Sequence, residues 1–297
     1  MRFNCNVFDC HCDTLTIKNL THTKSHLKYG DMLKYNRYIQ VFAICAEKCE
    51  PYMHALHHIR RYNRLTRKYA IEKVEQKSDL RRARQGAILA LEGGDALYEN
   101  IYALDRFYKM GVRLLTLTWN NENAVAGNIT QDFDGGLTPF GKKIIRRCEE
   151  LGVVVDLSHI GDRSFFDVCA ASEKPFICSH SNSRSICGEM RNITDNQFRE
   201  LMRRGGVLGI NFYPLFLGGE GSIKEIVKHI EHFCGMGGEK NIGMGSDFDG
   251  ISHMPKGCSG ASFFADIANE LLRLNYKEEI TQNILFDNFY NLFEKLL

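Results

Sequence analysis

The chain has 297 residues, of which 44% are hydrophobic and 25% are charged, and its formal net charge is +2. This balance is typical of a globular protein, and the length suits either two small domains or one barrel of roughly 250 residues. So small a net charge argues against binding to nucleic acid or an anionic membrane, and no apolar run approaches the ~18 residues of a membrane helix.

The cysteines and the amino-terminal region indicate a cytoplasmic protein. The eleven cysteines lack regular pairing, which predicts reduced thiols in a reducing compartment. A signal peptide is not expected, because its cleavage would remove His11 and Asp13. Residues 60–84 hold ten Lys or Arg against three Asp or Glu, and we interpret them as a solvated outer helix pair because two tyrosines are too few for a nucleic-acid site.

Eight short apolar runs recur along the chain, and each ends in polar residues before a helical segment begins. They lie at residues 6–13, 39–47, 86–94, 112–121, 153–159, 176–182, 207–213 and 242–250. Apolar strands that alternate with helices indicate a parallel sheet covered by helices, and eight of them predict an α/β protein with a (β/α)8 TIM-type barrel. An open doubly wound sheet is the alternative, but it would need a glycine-rich loop after the first strand, and DCHCDTL has none. We expect one catalytic domain over residues 1–297.

Helix signals lie between the apolar runs. The stretch GLTPFGKKIIRRCEELG has apolar residues at helical spacing, and Gly152 follows its last turn. Capping boxes are predicted at Thr194 with Gln197 and at Ser222 with Glu225.

Ionisable residues stand at the ends of separate predicted strands. They are His11, Asp13, Glu92, His159, His180, Asp247 and Asp249. In a barrel, the residues at the carboxyl ends of the strands meet in one mouth. A single histidine at a strand end is usually a hydrogen-bonded structural residue, but several at matching ends indicate a shared site.

The first run, NVFDCHCDTL at residues 6–15, places ionisable residues at alternate positions. Strand side chains alternate between faces, so His11 and Asp13 are predicted to point into the mouth and Cys10 and Cys12 outward, toward the helices. This pattern argues against thiolate ligands. Histidine and carboxylate suit zinc, and five such ligands exceed the three of one catalytic zinc, which indicates two metals that share a carboxylate.

At these residues the chain resembles the zinc-dependent membrane (renal) dipeptidases and their bacterial relatives, barrel members of the metal-dependent hydrolase group. The resemblance covers nearly the whole chain through DCHCD, ALEGG, RLLTLT, GLTPFG, DLSH, SHSNS with RN following, and GSDFDG. It implies a binuclear zinc dipeptidase that uses a metal-bridging hydroxide on L,L and L,D dipeptides with a free C-terminal carboxylate. Mn²⁺ or Co²⁺ are implied substitutes, and homodimers are common in the family.

The resemblance also implies residue roles. His11 and Asp13 bind one metal, Glu92 bridges, and His159 and His180 bind the other. Three further roles follow, at Asp247 for proton transfer, Arg191 for the substrate carboxylate and Tyr213 for the pocket wall.

Two positions depart from the family pattern. Trp119 stands where well-studied members have a histidine that binds the developing oxyanion, and Phe216 replaces a pocket tyrosine. An indole donates one hydrogen bond and carries no charge, so Asn120, Asn121 or a metal is expected to help. Some bacterial relatives share the tryptophan, which indicates a variant pocket; simple packing by Trp119 is the alternative.

Two other functions remain open at this point. A related amidohydrolase acting on a cyclic amide or lactam would often bridge its metals with a carboxylated lysine on the fourth strand, and RLLTLTWNN has no lysine. A non-catalytic binding protein would be expected to lose ligand positions, and none is lost.

Overall fold

A computed structural model describes residues 5–16, 25–45, 49–129 and 134–297. The strands within these residues are β1 (Asn6–Asp9), β2 (Arg37–Cys45), β3 (Glu72–Lys73), β4 (Gln85–Glu92), β5 (Val112–Thr116), β6 (Val154–Asp156), β7 (Ile177–Ser181), β8 (Val207–Ile210) and β9 (Ile242–Met244). The helices are α1 (Tyr29–Met32), α2 (Pro51–Lys68), α3 (Lys77–Arg82), α4 (Ile101–Lys109), α5 (Pro139–Leu151), α6 (Asp162–Ala171), α7 (Asp195–Arg203), α8 (Pro214–Leu217), α9 (Ile223–Gly235), α10 (Phe263–Arg273), α11 (Glu278–Gln282) and α12 (Asn288–Leu296). A π-helical turn, Asn283–Asp287, joins α11 to α12.

Eight parallel strands close into a barrel in the order β1, β2, β4, β5, β6, β7, β8, β9, and β9 pairs with β1 through Met244 and Asp9. The predicted (β/α)8 barrel is therefore confirmed, with all eight apolar runs as its strands. Seven strands end one to six residues before their predicted ends, and residues 46–47 at the predicted end of β2 lie outside the described residues.

The basic segment 60–84 differs from the predicted helix pair. It contains the second half of α2 and all of α3, but β3 lies between them and pairs in parallel with β4. A strand of two residues is too short to show a sequence period, so it could not be predicted.

Local helix signals are confirmed. Thr194 and Ser222 form complete capping boxes at α7 and α9, and Gly152 ends α5 with φ of 74°, a left-handed conformation that favours glycine. All eleven cysteines are free thiols. Over the described part of the chain, no helix has the length and apolar character needed to span a membrane.

The core has two layers, and the last helix closes one end of the barrel. The inner layer takes apolar residues from seven barrel strands, and the outer layer lies between strands and helices. Phe289 and Phe293 of α12 lie 5.6 and 5.1 Å from Phe8 between ring centroids. A Cβ at Gly243 would lie 2.4 Å from the Phe289 ring, so glycine is required there. Burial of each ring stabilises the fold by roughly 1.5–3 kcal/mol.

Candidate active site

Three histidine side chains converge on one carboxylate at the carboxyl edge of the barrel. Glu92 Oε1, at the end of β4, lies 3.5 Å from His11 Nε2, 3.2 Å from His159 Nε2 and 3.6 Å from His180 Nε2. The histidines come from the ends of β1, β6 and β7, and all four residues are buried. The closed barrel therefore brings together residues that are up to 169 positions apart, from His11 to His180.

The donor atoms around Glu92 lie close to one another. His11 Nε2 lies 3.4 Å from Asp13 Oδ2, and His159 Nε2 lies 2.9 Å from His180 Nε2. Two nitrogens that bind one tetrahedral zinc at 2.0–2.1 Å would lie about 3.3 Å apart. This spacing and the donor types suit the binding of divalent metal ions.

The surroundings of His11 support a metal site. His11 is only 1% exposed, and both of its ring nitrogens are buried without a hydrogen-bond partner. A buried polar group without a partner is costly, and a bound cation would satisfy Nε2. Groups of donor atoms within 4.8 Å of one another join His11 to Glu92 and His180, and to Asp13 and Asp247.

A buried carboxylate beneath the cluster orients His180. Ser179 Oγ lies 2.7 Å from His180 Nδ1 and donates to Asp156 Oδ2 at 2.7 Å. Asp156 also accepts from Ser179 N at 2.8 Å and from Thr116 Oγ1 at 2.7 Å. Such outer contacts fix the ring orientation of a ligating histidine and leave Nε2 toward the metal.

The strand alternation predicted for residues 10–13 breaks within the first run. Cys12 packs in the outer layer as predicted, but Cys10 packs in the inner layer with Phe8, so the prediction for Cys10 is wrong. The regular ladder of β1 ends at Asp9, but Cys12 forms an isolated parallel bridge with Phe248, and Asp247 N donates to His11 O between them. Burial raises the pKa of both cysteine thiols well above the ordinary value, which disfavours thiolate ligands.

The site holds strained backbone. His159, Asp247 and Asp249 have φ of 69°, 60° and 67°, in the left-handed region that L-residues rarely adopt. Each such conformation costs of order 1–3 kcal/mol and persists where surrounding contacts fix it. For His159 those contacts are donors to its carbonyl, Asn128 Nδ2 and Ile129 N, both at 3.1 Å.

Burial and mutual repulsion shape the protonation of the cluster. Burial raises the pKa of Glu92, and the neighbouring Asp13 and Asp247 raise it further. Burial acts against a charge on His11, but Glu92 and the two aspartates outweigh it and raise the pKa of His11. The site therefore concentrates negative charge that cations can neutralise.

A cavity of about 610 Å³ opens over the cluster. Its walls include the proposed substrate-binding residues of the sequence analysis, Arg191, Trp119, Asn120 and Tyr213. The Trp119 ring lies 6.4 Å from the His159 ring, and the Arg191 guanidinium carbon lies 5.5 Å from the Phe216 ring centre. The structure thus brings every predicted site residue to one edge of the barrel.

Asp249 has a different role from its neighbours. Its carboxylate accepts from Thr14 Oγ1 at 2.6 Å, Ser25 Oγ at 3.2 Å and His26 N at 2.7 Å. These bonds join the chain after β1 to the chain after β9. Nearby, a Cβ at Gly250 would lie 2.2 Å from Asp13 Oδ2, so the GSDFDG turn requires glycine at that position.

Three buried asparagines connect the Arg191 loop to Asp247. Asn182 N donates to Asn192 Oδ1 at 3.2 Å, and Asn182 Nδ2 donates to Asn211 O at 3.0 Å. Asn211 N donates back to Asn182 Oδ1 at 3.1 Å, and Asn211 Nδ2 donates to Asp247 Oδ2 at 3.0 Å. All three asparagines are 0% exposed. Asn182 and Asn192 lie in the quoted SHSNS and RN motifs and Asn211 follows β8, but their roles depend on contacts that the sequence does not show.

Asn182→Ala is expected to raise KM for a substrate bound in this cavity by about tenfold while metal content is retained. The reason is that two buried groups of Asn211 lose their partners at about 1–3 kcal/mol each. Steady-state kinetics and metal analysis measure both effects. Asn288→Ala is the matched control: Asn288 Nδ2 donates to Glu239 O and Ile242 O at 2.8 and 2.7 Å, remote from the mouth. An equal rise in KM for both variants would contradict the positioning role.

Histidine and carboxylate side chains meet at the strand ends of a closed (β/α)8 barrel in this protein. This arrangement is typical of metal-dependent hydrolases. The family model described as membrane dipeptidase (peptidase family M19) matches residues 4–296. The chain belongs to this family, and by family it is a metal-dependent dipeptidase.

Two curated proteins and one solved structure are similar to this chain. An uncharacterised Klebsiella pneumoniae protein encoded in the pqqA 5′ region is 29% identical over 235 residues, 74% of this chain and 86% of that protein. An uncharacterised dipeptidase of Schizosaccharomyces pombe is 33% identical over 216 residues, 70% of this chain and 52% of that longer protein. A Rhodobacter sphaeroides metallopeptidase, crystallised with a phosphinate mimic of L-Ala-D-Ala, has a TM-score of 0.90 at 23% identity and matches 99% of this chain and 100% of its own.

Proposed function

We propose that this chain is a two-metal dipeptidase, with zinc as the native metal, that cleaves dipeptides bearing a free C-terminal carboxylate. The observation that carries the proposal is that the Glu92-centred cluster and the Arg191 guanidinium line the same cavity. His11 and Asp13 would hold one ion and His159 and His180 the other, with Glu92 shared. Mn²⁺ or Co²⁺ could occupy the same donors.

Cations held by these residues would supply a water of lowered pKa and a Lewis acid for the peptide carbonyl. Asp247 is the proposed acid–base residue, which accepts the proton of that water and returns it to the leaving amine. Burial raises the pKa of Asp247, His11 lowers it, and Asn211 holds one carboxylate oxygen. A carboxyl group whose pKa is raised toward neutrality suits proton transfer in both directions.

Arg191 is the proposed clamp for the substrate carboxylate. The residue is 8% exposed and lines the cavity, and it forms no ion pair with any residue that the structure describes. A buried guanidinium without a carboxylate partner is costly, and a substrate carboxylate can accept two parallel hydrogen bonds from it. The clamp would restrict cleavage to short peptides with a free C-terminus.

The remaining wall residues are proposed to contact the substrate. Trp119 and Asn120 stand at the end of β5 and can donate to a developing oxyanion, while Tyr213 packs on Phe216 at 5.0 Å beside Arg191. β5 (VRLLT) contains no lysine that could be carboxylated, which disfavours the cyclic-amide hydrolase alternative. The Rhodobacter complex with an L-Ala-D-Ala mimic supports L,D dipeptides as substrates of this chain, and L,L dipeptides are proposed beside them. The proposal includes one catalytic domain, a cytoplasmic location and a homodimer.

The test is a hydrolysis assay of the zinc-loaded protein on L,L and L,D dipeptides beside their N-acetyl and C-amidated forms. We expect metal-dependent cleavage that is lost on C-amidation. If the protein bound two metals but cleaved none of these dipeptides, the substrate would be another amide or a lactam. Trp119→His would then be the first variant to make.

A further inference from the structure

The cavity wall that carries Arg191 is built from two separate segments of the chain. Residues 182–193, the Arg191 loop, follow β7, and α8 follows β8 and carries Phe216. The Arg191 guanidinium carbon lies 5.5 Å from the Phe216 ring centre, across the boundary between the two segments. The position of Arg191 in the cavity therefore depends on how the Arg191 loop and α8 are held together.

The two ends of the Arg191 loop are joined to each other. Ile193 N donates to Asn182 O at 2.9 Å, and Arg184 N donates to Ile193 O at 2.8 Å. Ser183 lies between these two bonds and forms a parallel bridge with Ile193. A partner that holds Ser183 therefore also holds the end of the loop that carries Arg191, two residues before Ile193.

The carboxyl end of α8 is held by side chains from outside that helix. A helix leaves its last carbonyl groups without partners of its own. In α8, Phe216 O accepts from Asn192 Nδ2 at 2.8 Å, and Leu217 O accepts from His229 Nε2 at 3.1 Å. Asn192 belongs to the Arg191 loop itself, whereas His229 belongs to α9, a third segment of the chain.

The His229 imidazole joins the Arg191 loop to α8. Its Nδ1 accepts from Ser183 N at 3.1 Å, while its Nε2 donates to Leu217 O. A backbone N–H only donates and a carbonyl only accepts, so the two bonds require a neutral ring with its proton on Nε2. Burial lowers the pKa of His229 to about 4, which keeps the ring neutral at neutral pH.

We propose that His229 is a positioning residue for the substrate carboxylate. By joining the Arg191 loop to α8, it holds Arg191 over Phe216 in the geometry that receives the carboxylate. The inference rests on the proposed function, in which Arg191 is the clamp. His229 is 0% exposed and therefore acts behind the wall, not on the substrate. Without His229, two buried backbone groups would lose their partners, which favours separation of the loop from the helix.

The test compares the metal-loaded wild-type enzyme with His229→Phe, which keeps a ring and removes both hydrogen bonds. We expect KM for L-Ala-L-Ala and L-Ala-D-Ala to rise by about tenfold, while kcat and metal content stay within about threefold of the wild type. The ratio of kcat/KM between free and C-amidated dipeptides should fall by about the same tenfold, because an amidated substrate does not use the clamp.

Two conservative variants separate the two hydrogen bonds. His229→Asn places an amide oxygen near the position of Nδ1 and keeps an acceptor for Ser183 N. His229→Gln places an amide NH₂ group near the position of Nε2 and keeps a donor for Leu217 O. Each is expected to raise KM by only about threefold. If neither variant had a lower KM than His229→Phe, the assignment of the effect to these hydrogen bonds would be overturned.

Tyr62→Phe is the matched control. Tyr62 is 2% exposed, and its hydroxyl donates to Ala87 O at 2.8 Å, toward the amino end of β4 and away from the mouth. The substitution removes a buried hydrogen bond to a carbonyl and keeps the ring. We expect Tyr62→Phe to lower thermal stability without raising KM. An equal rise in KM in Tyr62→Phe and His229→Phe would overturn the positioning role.

Hydrogen exchange gives a readout that does not depend on turnover. In His229→Phe, the amides of the Arg191 loop and of α8 are both expected to exchange about tenfold faster, while those of β4 keep their rates. Faster exchange in only one of the two segments would overturn the joining role. Equal KM for His229→Phe and the wild type would overturn this inference alone, whereas a wild type that cleaves no dipeptide would overturn the proposed function.

Discussion

Glu92→Gln is expected to remove bound metal and peptidase activity together. The Glu92 carboxylate is the common neighbour of three imidazole Nε2 atoms, and an amide presents one NH₂ group that cannot bind a cation. Loss of a shared ligand removes about 4 kcal/mol of transition-state stabilisation, or ~1000-fold in kcat/KM. The metal content measured by elemental analysis should fall from the proposed two ions per chain to fewer than one.

Glu122→Gln is the control for this experiment. Glu122 is exposed in the chain after β5, so its substitution removes the same charge without touching the cluster. We expect this variant to keep its metal content and its kcat/KM. If Glu92→Gln retained two metals per chain, the bridging assignment would be wrong, whatever its activity.

Arg191→Lys is expected to lower kcat/KM for dipeptides by about 10–100-fold, mostly through KM, with metal content unchanged. Lysine keeps the charge but loses the planar pair of donors, and a charged hydrogen bond contributes about 1.5–3 kcal/mol. The clamp assignment also predicts that C-amidated substrates, already poor, lose little further activity in this variant.

The matched control replaces an arginine outside the mouth. Arg199 lies on α7 and donates to Asn196 Oδ1 at 2.7 Å on the surface, so Arg199→Lys should leave KM unchanged. If Arg191→Lys lowered kcat/KM equally for amidated and free dipeptides, Arg191 would stabilise the fold and would not bind the substrate carboxylate.

Much of the barrel was predictable because two sequence signals coincide at each strand. The apolar run predicts the strand, and the polar residues that follow the run mark its carboxyl end. Examples are Glu92, the last residue of β4, and His180 in β7. Barrel closure then brings these ends together without knowledge of any single contact. Family membership agrees with the resemblance seen in the motifs, while the individual residue roles remain proposals.

Other features depended on contacts that no local pattern encodes. Cys10 points inward because it continues the alternation of Phe8, and the alternation breaks only beyond it, where Cys12 packs in the outer layer. The links from Asn182 to Asn211 span 29 positions and join two different loops.

The aromatic closure of the barrel has a consequence for biosynthesis. Phe8 belongs to the first strand, and its partners Phe289 and Phe293 belong to the last helix. Phe8 is therefore synthesised near the start of translation and its two partners near the end. Until α12 has emerged, the inner layer of the barrel is open at that end and exposes apolar surface. A nascent chain stalled before residue 283 should therefore bind chaperones and resist compaction, and release of the final helix should complete folding in one late step.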